Sequence, residues 1–265
     1  MKRLVLLVSS AVLAMFCSLL SAQEPEVAGH APDGDTFEII NNIMIPAVQH
    51  APFSSVVTAE WTRTLEDGST ITRQNHRVVV RDGAGRIYQE RRTLVPKNGQ
   101  AEPLLVRIEI SDPAQHIKYF CQAENHVCML REYTGPPADV VEPVGSFGEG
   151  KMVLMREELG KSNVSGVDVT GTRETRVIGA GVIGNDQPVS ITKEFWYSPQ
   201  LGLNMLVKRS DPRVGVQTFT VTEVSLSEPD PKYFQVPAQF KVVDMRSAES
   251  KRATRPGTVQ VTASH

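Results

Sequence analysis

Leu104-Leu-Val-Arg-Ile-Glu-Ile-Ser111 alternates with a period of two. Leu104, Val106, Ile108 and Ile110 fall on one side, Arg107 and Glu109 on the other. That spacing belongs to a strand, because successive side chains of an extended chain point to opposite faces. The same period recurs outward in both directions. Upstream, the β-branched and aromatic run Val56–Leu65 meets Asp67-Gly68, a hairpin turn into Ser69–Arg81. Asp82-Gly83-Ala84-Gly85 then turns the chain back into Arg86–Leu94. Downstream, His116–Cys121 and Val127–Tyr133 flank Ala123-Glu124-Asn125-His126, a second hairpin signal. Val167–Ile178, Val189–Ser198, Leu203–Ser210 and Val216–Leu226 follow, separated by Gly-Asn-Asp, Ser-Pro and Asp-Pro breaks. The pattern predicts about ten strands in a meander, with turns every ~8–12 residues, as in an antiparallel barrel or sandwich.

Helical signal is thin. Lys151–Gly160 reads either as a short helix stopped by Gly160 or as a strand, because Met152–Met155 is apolar without a break. Asp230-Pro-Lys-Tyr-Phe234 reads as one helical turn with Pro near its start.

The first 22 residues order as a secretory signal peptide: Lys2-Arg3, an apolar run Leu4–Leu20, and a small-residue cleavage site at Ser21-Ala22. Bulky Met15 and Phe16 before Cys17 argue against a lipid anchor there. The expected product begins at Gln23, is exported to the periplasm or beyond, and keeps no transmembrane segment. Loss of Lys2 and Arg3 leaves 26 basic against 30 acidic residues, a formal charge of −4. A nucleic-acid binder would carry a basic domain instead. The expected organisation is a signal peptide over 1–22, an N-terminal extension over 23–50, one β domain over 51–243 and a disordered tail over 244–265. Sequence of this length buries a sizeable core.

Few residues carry a chemical signal. Gly179-Ala-Gly-Val-Ile-Gly184 matches a dinucleotide fingerprint in letters. That motif needs a following helix to face a pyrophosphate, whereas Asn185-Asp-Gln-Pro188 and a strand follow here. His116, Cys121, His126 and Cys128 put four soft-metal ligands in one short stretch. A 123–126 loop would place Cys121 directly opposite Cys128, so a disulfide is the favoured reading in an oxidising compartment. Two free thiols and a metal site are the alternatives, and no metal or other cofactor is assigned. Arg73, Arg77, Arg81, Arg86, Arg91 and Arg92 surround one hairpin with only Asp82 and Glu90 against them. They are candidate anionic contacts; the plainer reading is a solvated face, with Arg77 opposite Glu90. The chain has no G-x-S-x-G, H-E-x-x-H or Walker sequence, so no catalytic residue is named.

Longer stretches carry a resemblance. They include Gly166-Val-Asp-Val-Thr-Gly-Thr-Arg173, Phe195-Trp-Tyr-Ser-Pro-Gln-Leu-Gly202, Val207-Lys-Arg-Ser-Asp-Pro-Arg213 and Glu228-Pro-Asp-Pro-Lys-Tyr-Phe-Gln-Val-Pro237. With Thr64-Leu-Glu-Asp-Gly68 and Arg81-Asp-Gly-Ala-Gly-Arg86, they resemble an uncharacterised family of exported bacterial proteins over most of residues 50–243. More remotely, the meander and its Phe-x-x-Pro close are similar to the lipoprotein carrier superfamily (LolA, LolB and the RseB sensor domain). That resemblance implies an all-β fold with minor α, an antiparallel half-barrel or strongly curved meander sheet. It also implies a non-enzymatic envelope protein that binds acyl chains, lipoproteins or envelope proteins. Trp61, Val106, Ile108, Met129 and Phe195 are the expected lining of its apolar face. An interaction or sensor module docking through the basic hairpin is the first alternative, and a hydrolase with a composite site the second.

Overall fold

Each segment with a two-residue period forms a strand, and the turns between them follow from their side chains. The computed structural model describes residues 42–135 and 142–247; the expected signal peptide and most of the expected N-terminal extension and tail lie outside them. The strands of the first half are β1 (Phe53–Thr64), β2 (Thr70–Arg81), β3 (Ile87–Arg92), β4 (Val95–Pro96), β5 (Leu105–Asp112), β6 (Ile117–Gln122) and β7 (Val127–Glu132). The second half contributes β8 (Gly145–Phe147), β9 (Met152–Val164), β10 (Val167–Ile178), β11 (Val189–Ser198), β12 (Leu203–Asp211) and β13 (Gly215–Ser225). A 3-10 turn, Pro231–Phe234, precedes β14 (Lys241–Asp244). Asp230 caps that turn by accepting from Lys232 N.

The fourteen described strands form one sheet, rather than the ten expected. The four extra strands are β4, β8, β9 and β14. Three of these are too short for a period to show. The fourth, β9, contains the Met152–Met155 run that left helix and strand undecided. It is a strand, and Gly160 (φ 85°) marks a bulge opposite Gly171 rather than a helix end. Ser165 and Gly166, both at positive φ, close the β9–β10 hairpin as a primed turn does.

Strand order is β14-β7-β6-β5-β3-β2-β1-β13-β12-β11-β10-β9-β8, with β4 against β2. The chain meanders outward to β7, restarts at the other edge with β8, and meanders inward until β13 lies beside β1. Eleven strand spacings separate β7 from β8, about 53 Å if the sheet were flat. The chain from Glu132 to Gly145 spans at most about 45 Å. The sheet must therefore curve, and two contacts show it doing so. Arg81 of β2 reaches the carbonyl of Leu201 in the β11–β12 turn. Ser165 in the β9–β10 turn donates to the Val221 carbonyl of β13. The face carrying Arg81 is thus the inner face. The edge strands β14 and β8 do not pair, so the sheet stays open.

Both faces are covered where the two halves join. On the inner face Phe53, Val57, Val79, Ile87, Met205, Val207, Phe219 and Val221 pack into one core. Ile43 and Ile45, ahead of β1, belong to the same core. On the outer face Val80, Tyr88, Ile108, Ile110, Cys121 and Cys128 form a second core. Tyr233, Phe234, Val236 and Phe240 of the C-terminal segment cover it. Adjacent Val79 and Val80 are both fully buried, one in each core.

Cys121 and Cys128 stand directly opposite in β6 and β7 and are disulfide-bonded. The short loop between them limits the stabilisation to about 2–3 kcal/mol on loop-closure grounds. His126 packs on Phe240, with ring centroids 5.2 Å apart.

Candidate functional site

Rows of paired residues cross the inner face. One row runs Thr172, Phe195, Val207, Phe219, Ala59 and Asn75 from β10 to β2. It is apolar in the middle and closed by packing. The next row runs Arg156, Glu174, Lys193, Arg209, Gln217, Trp61 and Arg73. The inner face is therefore filled by its own side chains at the centre and becomes polar toward one end.

At that polar end lies a cavity of about 330 Å³. Leu154, Ile178 and Ile191 supply its apolar wall, and Arg176, Lys193 and Arg213 its cationic one. Leu154 and Ile191 both pair with Arg176 in the ladder, which puts apolar wall and charge on the same face. Glu174 and Asp211 also line it, and both are engaged. Arg156 holds Glu174 at 2.6 Å, and Arg213 holds Asp211 at 2.7 Å. The Arg213 hydrogen bond keeps the Asp211 carboxyl below its ordinary range. Arg176 pairs with Glu142.

A second recess of about 290 Å³ lies on the inner face of the other half, between Ile87, Gln89, Arg91, Lys118, Phe120 and Met44. Its chemistry is dominated by Glu109, only 3% exposed and bound by Arg91, Arg107 and Lys118. Burial alone would raise the Glu109 pKa. The hydrogen bonds and charges of Arg91 and Lys118 outweigh it and bring the value down to about 2. Lys118, Arg107 and Arg131 also stand over the Phe120 ring, at 4.5, 5.5 and 5.4 Å. Lys118 and Arg107 thus hold both the Glu109 carboxylate and the Phe120 ring, so the charges beside this recess are already engaged with one another.

The expected lining residues are dispersed. Trp61 is on the inner face but buried, its Nε1–H donating to the Val214 carbonyl at 2.9 Å. Phe195 lies on the same face, half-buried opposite Val207. Met129 sits half-buried opposite Phe120 at the far side of the sheet. Ile108 faces the other way, sealed in the outer core. Val106 is the extra residue of a bulge between Arg107 and Leu105, and it is 46% exposed. The bulge gives its place in the outer row to Leu105, so the expected alternation breaks there.

The basic hairpin is not one patch either. Strand alternation sends Arg77, Arg81 and Arg91 inward and Arg92 outward. Arg77 and Arg81 are buried, binding Gln89, Asn42 and the carbonyls of Ala51, Pro46 and Leu201. Arg91 and Arg92 bind Glu109 and Glu90. Arg86 binds Asp82 and covers the Phe234 ring at 4.7 Å. Arg73 alone is exposed. The register also differs by one residue from the expected one, so Val78 rather than Arg77 meets Glu90 and donates its N–H to that carboxylate. Gly85 (φ 85°) is the cause: Asp82–Gly85 forms a turn and a bulge, closed by Asp82 N to Arg86 O.

Gly179–Gly184 is the loop between β10 and β11, with Asn185 Nδ2 donating to the Gly179 carbonyl. Among the described residues no three metal-ligating side chains come together, and no helix is long and apolar enough to cross a membrane.

No family model and no curated protein sequence matches this chain. Among solved structures, the MucA/MucB complex of Pseudomonas aeruginosa is similar at 13% identity and a TM-score of 0.37. The likeness covers 74% of this chain, which spans 59% of that one. A LolA superfamily protein of Nitrosomonas europaea is similar at 10% identity and a TM-score of 0.28, over 71% of this chain and 91% of that one. A DUF1329 family protein of Desulfovibrio piger is similar at 11% identity and a TM-score of 0.26, over 71% and 90%. All three likenesses are remote.

Proposed function

We propose that this chain is an exported binding protein of the cell envelope that works without catalysis and holds an acyl-chain-bearing ligand. The ligand class includes a free lipid, a lipoprotein or an acylated envelope protein. One observation carries the reading: the 330 Å³ cavity, in which Leu154, Ile178 and Ile191 stand among Arg176, Lys193 and Arg213. Its size falls at the lower end of small-ligand pockets, which suits one short stretch of chain. The centre of the inner face is already filled, which differs from the uncovered apolar face expected of a carrier. The ligand therefore lodges at the polar end of the sheet instead of along its whole width.

Titration calorimetry of the purified mature protein with decanol tests this. The expected result is saturable binding at micromolar Kd, equivalent to about −8 kcal/mol. Replacing Ile191 by Asp should weaken it at least tenfold, because it removes part of the apolar wall and sets a hydrated carboxylate beside Arg176, which a decyl chain cannot replace. Absence of binding in the wild type would overturn the acyl-chain reading and favour a protein partner.

A further inference from the structure

Lys193 and Arg209 stand directly opposite each other in β11 and β12, on the face that holds the 330 Å³ cavity. Opposed residues of an antiparallel pair bring their Cβ atoms to about 5 Å, where like charges destabilise the sheet. Among the described residues no carboxylate forms an ion pair with either. Glu174 lies on the far side of Lys193 in the ladder, but Arg156 Nε and Nη2 occupy its Oε1. Asp211 is taken by both Nε and Nη2 of Arg213. On the other side of Arg209 stands neutral Gln217, itself buried. The Arg209 guanidinium lies over the Phe219 ring at 5.7 Å, and its Nη1 is buried with no hydrogen-bond partner. Burial pushes its pKa down from the ordinary guanidinium value. A buried donor left unpaired is costly, and two unpaired cations side by side are more so. Elsewhere in this protein buried arginines are satisfied, as Arg81 is by three backbone carbonyls.

We propose that Lys193 and Arg209 form an anion subsite that holds the acidic head of the ligand, a carboxylate or a phosphate monoester, beside the apolar wall of the cavity. The assignment rests on the acyl-chain reading above. Arg209 stands just outside the cavity lining, so its guanidinium turns toward Lys193 as an oxyanion bridges the two cations and satisfies Nη1. Leu154, Ile178 and Ile191 would take the first part of the chain. The sheet register builds this pair: without the extra residue Met205 in β12, Lys193 would oppose Lys208, whose side chain is exposed.

The test compares three ligands of equal chain length, decanoate, decyl phosphate and decanol, on the wild type and on Lys193→Gln, Arg209→Gln and Lys208→Gln. The wild type should bind the two anions at least tenfold more tightly than decanol. Lys193→Gln and Arg209→Gln should each remove that advantage, whereas Lys208→Gln should keep it. Unliganded Lys193→Gln and Arg209→Gln should melt at or above the wild-type temperature, since each relieves repulsion. Whichever anion binds more tightly identifies the head, a phosphate monoester as in a phosphatidate or a carboxylate as in a fatty acid; either order upholds the subsite. Equal binding of decanol and both anions would overturn the subsite and leave the acyl-chain reading standing. So would an anion advantage kept by both glutamine variants, or a lowered melting temperature for Arg209→Gln with the advantage intact. Failure of all three ligands on the wild type would overturn both.

Discussion

Arg81→Met should lower the unfolding free energy by about 3 kcal/mol, one of the largest losses expected of any single substitution in this chain. Arg81 has no exposed surface. Its Nε and Nη2 donate to the Ala51 carbonyl at 3.0 and 2.8 Å, its Nη1 to Pro46 at 2.9 Å, and its Nη2 also to Leu201 at 2.6 Å. Three parts of the chain meet at this one guanidinium: the segment before β1, the end of β2 and the β11–β12 turn. Burial pushes its pKa down to about 10, so it remains charged at neutral pH. Methionine fills similar space beside Phe53 but removes the donor to the Ala51 and Leu201 carbonyls, each costing about 1–3 kcal/mol, while Pro46 keeps the Val48 N–H. Relief from desolvating a lone charge offsets part of that total. Lysine should not rescue, because one ammonium cannot reproduce a planar fork reaching three acceptors. Urea denaturation should show the loss, with a fall in melting temperature of roughly 6–12 °C for a chain of this size. A change below about 1 kcal/mol would show that the inner face closes without this residue.

Glu109→Gln should be comparably severe and should also change how the protein responds to acid. The Glu109 carboxylate accepts from Gln89, Arg91, Arg107 and Lys118. Its folded pKa, about 2, lies below the ordinary 4.5. A carboxylate depressed in the folded state contributes its stability in full above the unfolded pKa. It loses that contribution as pH falls from about 4.5 to about 2. A shift of that size corresponds to about 3 kcal/mol. Glutamine leaves three cations around an uncharged amide, so the variant should be weaker at neutral pH and its stability should vary less with pH below 4.5. The check is the urea midpoint as a function of pH for both proteins. Parallel profiles would mean that the three cations do not depend on Glu109.

Much of the architecture was legible from residue order. Period two located the long strands because most of each has one packed face and one open face, even though both faces are covered where β2, β3 and β5 meet the two cores. Asp67-Gly68 and Asp82–Gly85 marked hairpins because glycine takes the positive φ those turns need. The opposed cysteines were legible from loop length alone. Bulges were not. Val106, Gly160 and Met205 each sit where one strand gains a residue on its neighbour, and nothing in the local letters announces it. Each bulge changes which side chains share a face. Val106 therefore left the expected lining, and Arg209 rather than Lys208 came to face Lys193. The extra residue at Gly85 likewise moved Arg77 away from Glu90. The parallel pairing of β14 with β7 was equally hidden, since a four-residue strand far along the chain carries no signal of its partner. The candidate cavity depends on four strands in register, so its residues could not be gathered from sequence spacing.

The central claim, that an acyl chain with an acidic head lodges at the polar end of the inner face, has one direct measurement. Methyl-labelled protein titrated with decyl phosphate should show saturable NMR shifts at Leu154, Ile178 and Ile191. Ile87 and Met44 in the second recess, and Ile108 and Ile110 in the outer core, should not move. Shifts centred on Ile87 and Met44 would place the ligand beside Glu109 and contradict the assignment, and no saturable shift at any methyl would contradict the claim itself.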